Sequence, residues 1–426
     1  MSVVLITGAY GFVGTHLSAY LAERGHEVWA LDVGAGSSQV FKCGSSKGEK
    51  DSRQDAETQR PGERTCAGGG ANAQRSTLNA QRSSSGRGVY VRCNGWEELE
   101  EIPWDEVDAV VHLAGKAHDT KNTGEPQSYF DVNVGLTKTV MQSAIGSWQL
   151  AIGNGQSAIG DGSYSRQEAK TQKEKNSNIP VKKFLLFSSV KAVADRVEGV
   201  LTEAAVPDPK TPYGQSKLAA EREVLKFESS KVRDAGETTA NDANQANENH
   251  FRTLELQNLR TYILRPCMIH GPGNKGNLNL LYGMVRRGIP WPLGGFENRR
   301  SFASIENVCA VVEGLLLGRV ASGVYQVADD EAISTNELIC LMSEAVGRQA
   351  KIWRLPPSVV KAVAWIGDRL CLPLNSERLK KLTESYVASN AKIKAALGWD
   401  RMPVRARDGM RKTLESFGQS AVGKGQ

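Results

Sequence analysis

The chain opens on Val3-Val4-Leu5-Ile6-Thr7-Gly8-Ala9-Tyr10-Gly11-Phe12-Val13-Gly14. Four large apolar residues in a row suit a parallel strand covered on both faces. Glycines at 8, 11 and 14 follow at once, and residues without a Cβ let the backbone approach a pyrophosphate at a helix N-terminus. The helix predicted over residues 12–24 stops at Gly25, and a second strand covers 27–31. Asp32 stands at the end of that strand, where a carboxylate can accept hydrogen bonds from ribose hydroxyls. Strand, glycine turn, helix, strand and terminal acid in that order predict a dinucleotide site on a doubly wound parallel α/β sheet.

The glycine spacing has one more residue between the first two glycines than the commonest Gly-x-Gly-x-x-Gly form. In this it resembles the extended short-chain dehydrogenase/reductases, the NAD-dependent epimerases and dehydratases that act on nucleotide-sugars. The resemblance implies a Rossmann-type domain with a smaller C-terminal substrate-binding lobe, and cofactor contacts from Gly8, Gly11, Phe12, Val13, Gly14 and Asp32. Asp32, with no Arg directly after it, favours NAD over NADP because a carboxylate would repel a 2′-phosphate.

Composition narrows the field further. The net charge is +6, but many of the basic residues fall in polar segments outside the predicted elements, so nucleic-acid binding is not expected. Seven cysteines show no Cys-x-x-Cys pair and no metal-ligand spacing, which points to a reducing compartment and no metal. Met1 leads straight into the first strand and no apolar run reaches membrane-spanning length. These features predict a cytoplasmic protein with no integral membrane segment.

Three segments interrupt the pattern. Residues 34–88 are rich in Gly, Ser, Gln, Arg and Lys; residues 146–178 continue a tandem seven-residue repeat with a glycine in each unit; residues 229–250 are rich in Asn and Asp. Such compositions bury too little apolar surface to offset ordering entropy, and all three are expected to be disordered insertions. Removing them leaves about 315 residues, ample for one such enzyme. The expected division is a dinucleotide domain over 1–265, a segment over 266–417 that is mainly substrate-binding lobe, and a flexible tail over 418–426.

Between the first two insertions, Asp108-Ala109-Val110-Val111-His112-Leu113-Ala114-Gly115 reads as a buried strand with small residues at its end. The resemblance implies that Leu113, Ala114 and Gly115 border the cofactor and that Asn133 braces the active-site strand, while His112, a histidine at the end of a buried strand, reads as structural rather than as an acid or base. Position 92–94, where the family commonly has an Asp for the adenine, holds Arg, Cys and Asn here.

The second fixed point is Tyr213-Gly214-Gln215-Ser216-Lys217. Four residues apart on a helix, Tyr213 and Lys217 share a face, and an ammonium beside a phenol favours the phenolate, lowering its pKa toward working pH. Upstream, the strand 183–187 ends in Ser188-Ser189. The set of Ser189, preferred over Ser188, with Tyr213 and Lys217 resembles the catalytic group of the short-chain dehydrogenases. Ser-Ser-Val-Lys is similar to the Ser-Ser-Ile-Lys of bacterial UDP-N-acetylhexosamine 4-epimerases and 4-keto reductases of surface-polysaccharide synthesis. Where the family usually follows its serines with an aromatic or Asn and then Gly, this chain has Val193-Ala194-Asp195.

Further on, Arg265-Pro266-Cys267-Met268-Ile269-His270-Gly271-Pro272-Gly273 resembles the family's turn into the substrate lobe. By the same resemblance Asn277, preferred over Asn279, and Arg300 contact the diphosphate of a UDP-sugar, a guanidinium fork suiting phosphate oxygens. The implied activity is hydride transfer at carbon 4 by a homodimer. A dehydrogenase of a steroid or flavonoid alcohol and a non-catalytic NAD(P) sensor are the alternatives. Residues 334–346 and 357–370 have helical periodicity, their apolar faces sized for packing on the lobe; Val359, Val360, Val363, Trp365 and Ile366 of the second also suit a membrane or a partner protein.

Overall fold

The computed structural model describes residues 1–33, 79–82, 88–93, 99, 102–116, 125–153, 181–234, 259–274, 276–369 and 376–422. β1 (Val3–Thr7) leads through the glycine turn into α1 (Phe12–Glu23), then β2 (Glu27–Val33), β3 (Asn79–Arg82), β4 (Gly88–Cys93) and β5 (Ala109–His112). Next come α2 (Pro126–Phe130), a π-helical turn (Asp131–Gly135), α3 (Leu136–Gly153), β6 (Lys183–Phe187), a 3-10 turn (Val190–Ala192), β7 (Val200–Leu201) and α4 (Pro212–Asp234). β8 (Arg260–Pro266), β9 (Met268–His270), α5 (Asn277–Arg286), β10 (Phe302–Ser304), α6 (Ile305–Leu317), β11 (Gly323–Val327) and α7 (Thr335–Ala345) follow. The chain closes with α8 (Pro357–Arg369), α9 (Ser376–Thr383), β12 (Val387–Ala388), α10 (Ala391–Leu397) and α11 (Ala406–Val422).

Among the described residues, eight strands form the main sheet in the order β11-β8-β6-β5-β1-β2-β4-β3, all pairs parallel except β3 with β4. Along β1 the side chains alternate between two cores. Val4 and Ile6 pack with Leu17 and Leu21 of α1, whereas Leu5 joins Trp29, Leu31, Val110 and Phe184 on the other face. Each such burial is worth about 1.5–3 kcal/mol, so a sheet covered on both faces demands the uninterrupted apolar run. The strand order reverses at β1, with β2 on one side and β5 on the other. In open α/β sheets the crevice at the carboxyl ends of such a pair is where ligands bind.

A separate core of Leu278, Tyr282, Trp291, Phe302, Met342 and Met410, among others, builds the C-terminal lobe. The segment 266–417 is not wholly lobe, because β11 returns to the edge of the main sheet beside β8 and α6 packs in the sheet core. Two parallel pairs, β9 with β10 and β7 with β12, link the halves.

Order reaches further into the polar segments than their composition suggests. Asn79–Arg82, inside the first expected insertion, is an antiparallel edge strand on β4. α3 continues to Gly153, past the expected start of the second insertion at 146, and α4 continues to Asp234, past that of the third at 229. The tail expected to be flexible from 418 is helical to Val422. Helix propagation costs less than nucleation, so an established helix extends into sequence that would not start one. Residues 34–78, 154–178 and 235–250 lie outside the described residues.

Candidate active site

At the carboxyl ends of β1 and β5 the glycines are packed too closely for any side chain. Gly8 has φ 72°, and a Cβ there would lie 2.7 Å from the Ala114 nitrogen. A Cβ on Gly14 would lie 2.4 Å from the Gly8 carbonyl oxygen. α1 starts at Phe12 without a side-chain cap. Its first-turn N–H groups are therefore available to an anion, and a pyrophosphate fits this cradle. Asp32 reaches over the turn, its Oδ2 accepting from the Tyr10 backbone N–H at 3.1 Å.

His112 is buried between two threonines, 2.7 Å from Thr7 Oγ1 through Nδ1 and 3.1 Å from Thr137 Oγ1 through Nε2. The Thr137 hydroxyl donates to the Asn133 carbonyl (2.7 Å), which assigns the ring proton to Nε2. Burial, helped by Lys217, drives the imidazole pKa down to about 3, so His112 is a neutral brace, as expected for a structural residue.

Asn133 sits buried in the π-helical turn, where one extra residue per turn aims it inward. Its Nδ2 donates to Ser216 Oγ (2.9 Å) and the Lys116 carbonyl (3.3 Å), and its Oδ1 accepts from the Lys116 N–H (2.8 Å). Ser216 Oγ in turn donates to the Tyr213 carbonyl at 2.9 Å. Asn133 thereby ties the loop after β5 to the first turn of α4. A Cβ on Gly115 would fall 2.7 Å from Asn133 Oδ1 and 3.2 Å from Lys217 Nζ.

Ser189, Tyr213 and Lys217 converge here. Ser189 and Tyr213 share a hydrogen bond, and Ser189 Oγ also accepts from the Lys191 N–H at 3.2 Å. Lys217 is buried and donates to the Phe187 carbonyl at 3.0 Å. Burial lowers its pKa to about 8, with Glu221 pulling the other way. The phenol of Tyr213 is pushed above its ordinary value by burial, a rise that Ser189 opposes and Tyr129 reinforces. The expected lowering of the phenol pKa toward working pH is therefore not met. Desolvation destabilises both charged forms, moving the lysine down and the tyrosine up.

The two serines have different partners. Ser188 donates to Glu221 Oε1, whose carboxylate also accepts from Arg265 Nε (2.9 Å) and Nη2 (2.5 Å). That pair is almost fully enclosed, with side-chain exposures of 5% and 0%. Ser188 thus belongs to the support beneath the site, and Ser189 faces the phenol.

Arg300 is half-buried, its pKa lowered by burial, and its Nε donates to the Glu384 carbonyl at 3.3 Å. It lies close enough to Lys191 for the two cations to repel, which brings it alongside the serine loop. Asn277 stands exposed at the first turn of α5, while Asn279 is tied to the Asn274 carbonyl at 2.7 Å.

Three contributors had weak signals in the sequence. Glu221 lies one turn beyond Lys217, a spacing that could have flagged it. Asp195 accepts from Lys210 N (2.7 Å), Thr211 N (3.2 Å) and Thr211 Oγ1 (3.2 Å), fastening the serine loop to the start of α4. Tyr386 OH donates toward the Ala194 carbonyl (2.8 Å) and the Val190 carbonyl (3.1 Å), and its ring lies under the Lys191 ammonium at 4.2 Å. Among the described residues no cluster of His, Cys, Asp and Glu is placed to hold a metal ion.

Comparison with known proteins agrees with this geometry. The pattern describing the NAD dependent epimerase/dehydratase family matches residues 4–327. A UDP-glucose 4-epimerase of Vibrio cholerae is 25% identical over 335 residues, covering 75% of this chain and 80% of that protein. The structure of UDP-N-acetylglucosamine 4-epimerase from Bacillus cereus superposes with a TM-score of 0.57 at 16% identity, over 99% of both chains. That of a Thermus thermophilus UDP-glucose 4-epimerase in complex with NAD gives 0.58 at 19%, over 97% of this chain and 98% of that one. These two show the shared fold. Glycine cradle, strand order and family match together place the chain in the NAD-dependent epimerase/dehydratase family.

Proposed function

We propose that this enzyme is a UDP-hexose 4-epimerase in which Tyr213 is the acid/base, Ser189 and Lys217 complete the catalytic group, and NAD is the cofactor. The observation that carries the reading is the convergence of Ser189, Tyr213 and Lys217 beside the glycine cradle, all buried or nearly so. The curated relative from Vibrio cholerae, which spans most of both chains, supports the same substrate class.

Gly8, Gly11, Phe12, Val13 and Gly14 would hold the pyrophosphate, Asp32 the adenosine ribose, and Leu113, Ala114 and Gly115 the nicotinamide side, where Gly115 leaves no room for a side chain. When bound, NAD supplies a hydride acceptor and donor for carbon 4. Tyr213 removes the proton of the 4-hydroxyl and later returns it to the same oxygen, while Ser189 holds that oxygen by a hydrogen bond. Lys217 keeps a positive charge near the phenol. Arg300 and Asn277 bind the diphosphate, and rotation of the sugar between the two proton transfers inverts carbon 4. The dehydratase variant of this chemistry wants acidic partners beside the serine, and Val190 and Lys191 occupy those positions. A 4-keto reductase of surface-polysaccharide synthesis uses the same group in one direction.

Purified protein incubated with UDP-glucose, UDP-N-acetylglucosamine and a UDP-4-keto-6-deoxy-N-acetylhexosamine separates these activities. Epimer formed without net cofactor use supports the proposal. Consumption of NADH with the keto sugar alone replaces it with a reductase, and inactivity on all three returns the steroid or flavonoid dehydrogenase and the NAD sensor. A homodimer through α4 is part of the proposal, and a monomer by sedimentation contradicts it.

A further inference from the structure

Seventeen large apolar side chains are exposed among the described residues, and seven of them fall between residues 353 and 382. They include Trp353 at 57% and Trp365 at 58%, the two exposed tryptophans of the described structure. On α8, Val360 and Ala364 turn into the lobe, leaving Val359, Val363 and Ile366 as an outward stripe at 50%, 47% and 46% exposure. The expectation that packing on the lobe uses this apolar face is therefore not met, because the helix has two apolar faces and the lobe covers only one.

Charge collects in the same place. Residues 351–382 contain seven Lys and Arg against two Asp and Glu, a surplus of five, where the whole chain has a surplus of six. Lys351, Arg354, Lys361, Arg369 and Lys380 are all exposed. Arg369 stacks against Trp365, its guanidinium 5.1 Å from the ring centroid, at the border of the apolar stripe. Asp368, the one acid of α8, is turned to Ser376, accepting from its N–H at 3.0 Å and its hydroxyl at 2.5 Å.

We propose that α8 and the segment before it are a docking surface for an anionic lipid bilayer, on which the enzyme lies peripherally. An outward stripe of Val and Ile enters the acyl boundary, tryptophan rings settle at the headgroup level, and basic side chains reach to lipid phosphates. α8, at 13 residues, lies along the surface, and no described helix is long and apolar enough to cross a membrane. A second copy of the chain is the poorer occupant. A two-fold contact would set this basic patch against itself, and interface cores are depleted of such charges.

Flotation of the full-length protein with vesicles of phosphatidylcholine alone, and of phosphatidylcholine with about a third phosphatidylglycerol, tests the surface. Binding to the anionic vesicles is expected to exceed binding to the neutral ones by about tenfold or more and to fall at raised salt. A blue shift of tryptophan emission accompanies it. Val363→Asp with Ile366→Asp, and separately Lys361→Glu with Arg369→Glu, lower the binding by about tenfold. Both pairs are exposed, so thermal unfolding and sugar turnover in solution stay as in wild type, whatever the sugar. Failure of the wild type to float with anionic vesicles overturns the proposal, as does undiminished binding by the Asp pair. A dimer in sedimentation that the Asp pair dissociates, with no flotation, makes the face a contact between copies instead.

Discussion

Asp195 and Thr211, sixteen residues apart, are joined twice: the carboxylate accepts from the Thr211 N–H and from its hydroxyl, each at 3.2 Å. Thr211 Oγ1 then accepts from the Gly214 N–H at 3.3 Å, at the residue next to Tyr213. Lys191 completes the fastening from the other side by donating to the Asp195 carbonyl at 2.8 Å. The loop bearing Ser189 and the helix bearing Tyr213 are thus held at one separation by one carboxylate. Asp195→Ala is expected to lower kcat by about 10- to 100-fold with KM for the UDP-sugar within about threefold, since misplacement of reacting groups costs rate more than binding. Steady-state kinetics on the purified variant check this. A matching loss in KM would instead place Asp195 in sugar binding.

The proton load of the site gives a second expectation. Burial moves Lys217 down from 10.5 to about 8 and moves Tyr213 up from 10.0. Lys217 therefore loses its proton near pH 8 while Tyr213 keeps its own, and the form of the two groups with one proton fewer, in which the proton can pass from phenol to amine to leave phenolate beside ammonium, is the competent base. The rate of the oxidative half-reaction should rise with pH and level off above about 8. In Lys217→Met the phenol loses the cation and keeps its burial, so its limb moves above pH 10. Turnover at pH 7.5 should then fall by about 100-fold or more. A pH profile of kcat/KM for the two proteins reads both effects. An unmoved limb in Lys217→Met would remove Lys217 from the proton chemistry.

Beneath the serines, Glu221 and Arg265 form a buried ion pair that also holds Ser188. Removing one partner strands the other charge, at a cost of about 3–5 kcal/mol. Glu221→Leu is therefore expected to unfold at much lower urea, and Glu221→Leu with Arg265→Met to recover most of the loss. Denaturant titration followed by circular dichroism measures both. Additive losses in the double variant would show that the pair is not coupled.

The parts legible in the sequence are those fixed by local chemistry. The β1 run, the glycines at 8 and 14 and the four-residue spacing of Tyr213 and Lys217 each express a constraint within a few positions, and the structure places all of them as expected. Glu221 reads along α4 as one charge among several on a helix, because its burial depends on Arg265, forty-four residues away. Asp195 stands in the sequence as a departure from the family's pattern, and its partners lie across a loop whose path no periodicity encodes. The phenol of Tyr213 moved opposite to expectation because spacing shows which charges are near and not how much water is excluded. α8 was legible as a helix, and only the packed lobe reveals which of its faces stays outside.

Deuterium at carbon 4 of UDP-glucose or UDP-N-acetylglucosamine tests hydride transfer most directly. Incubated with purified protein and NAD, the labelled sugar should yield its 4-epimer with the label kept at carbon 4 and no net change in nicotinamide absorbance. Tyr213→Phe should give about a hundredth of that product or less. Washout of the label into solvent, or no 4-epimer from either sugar, would contradict epimerisation by hydride transfer at carbon 4.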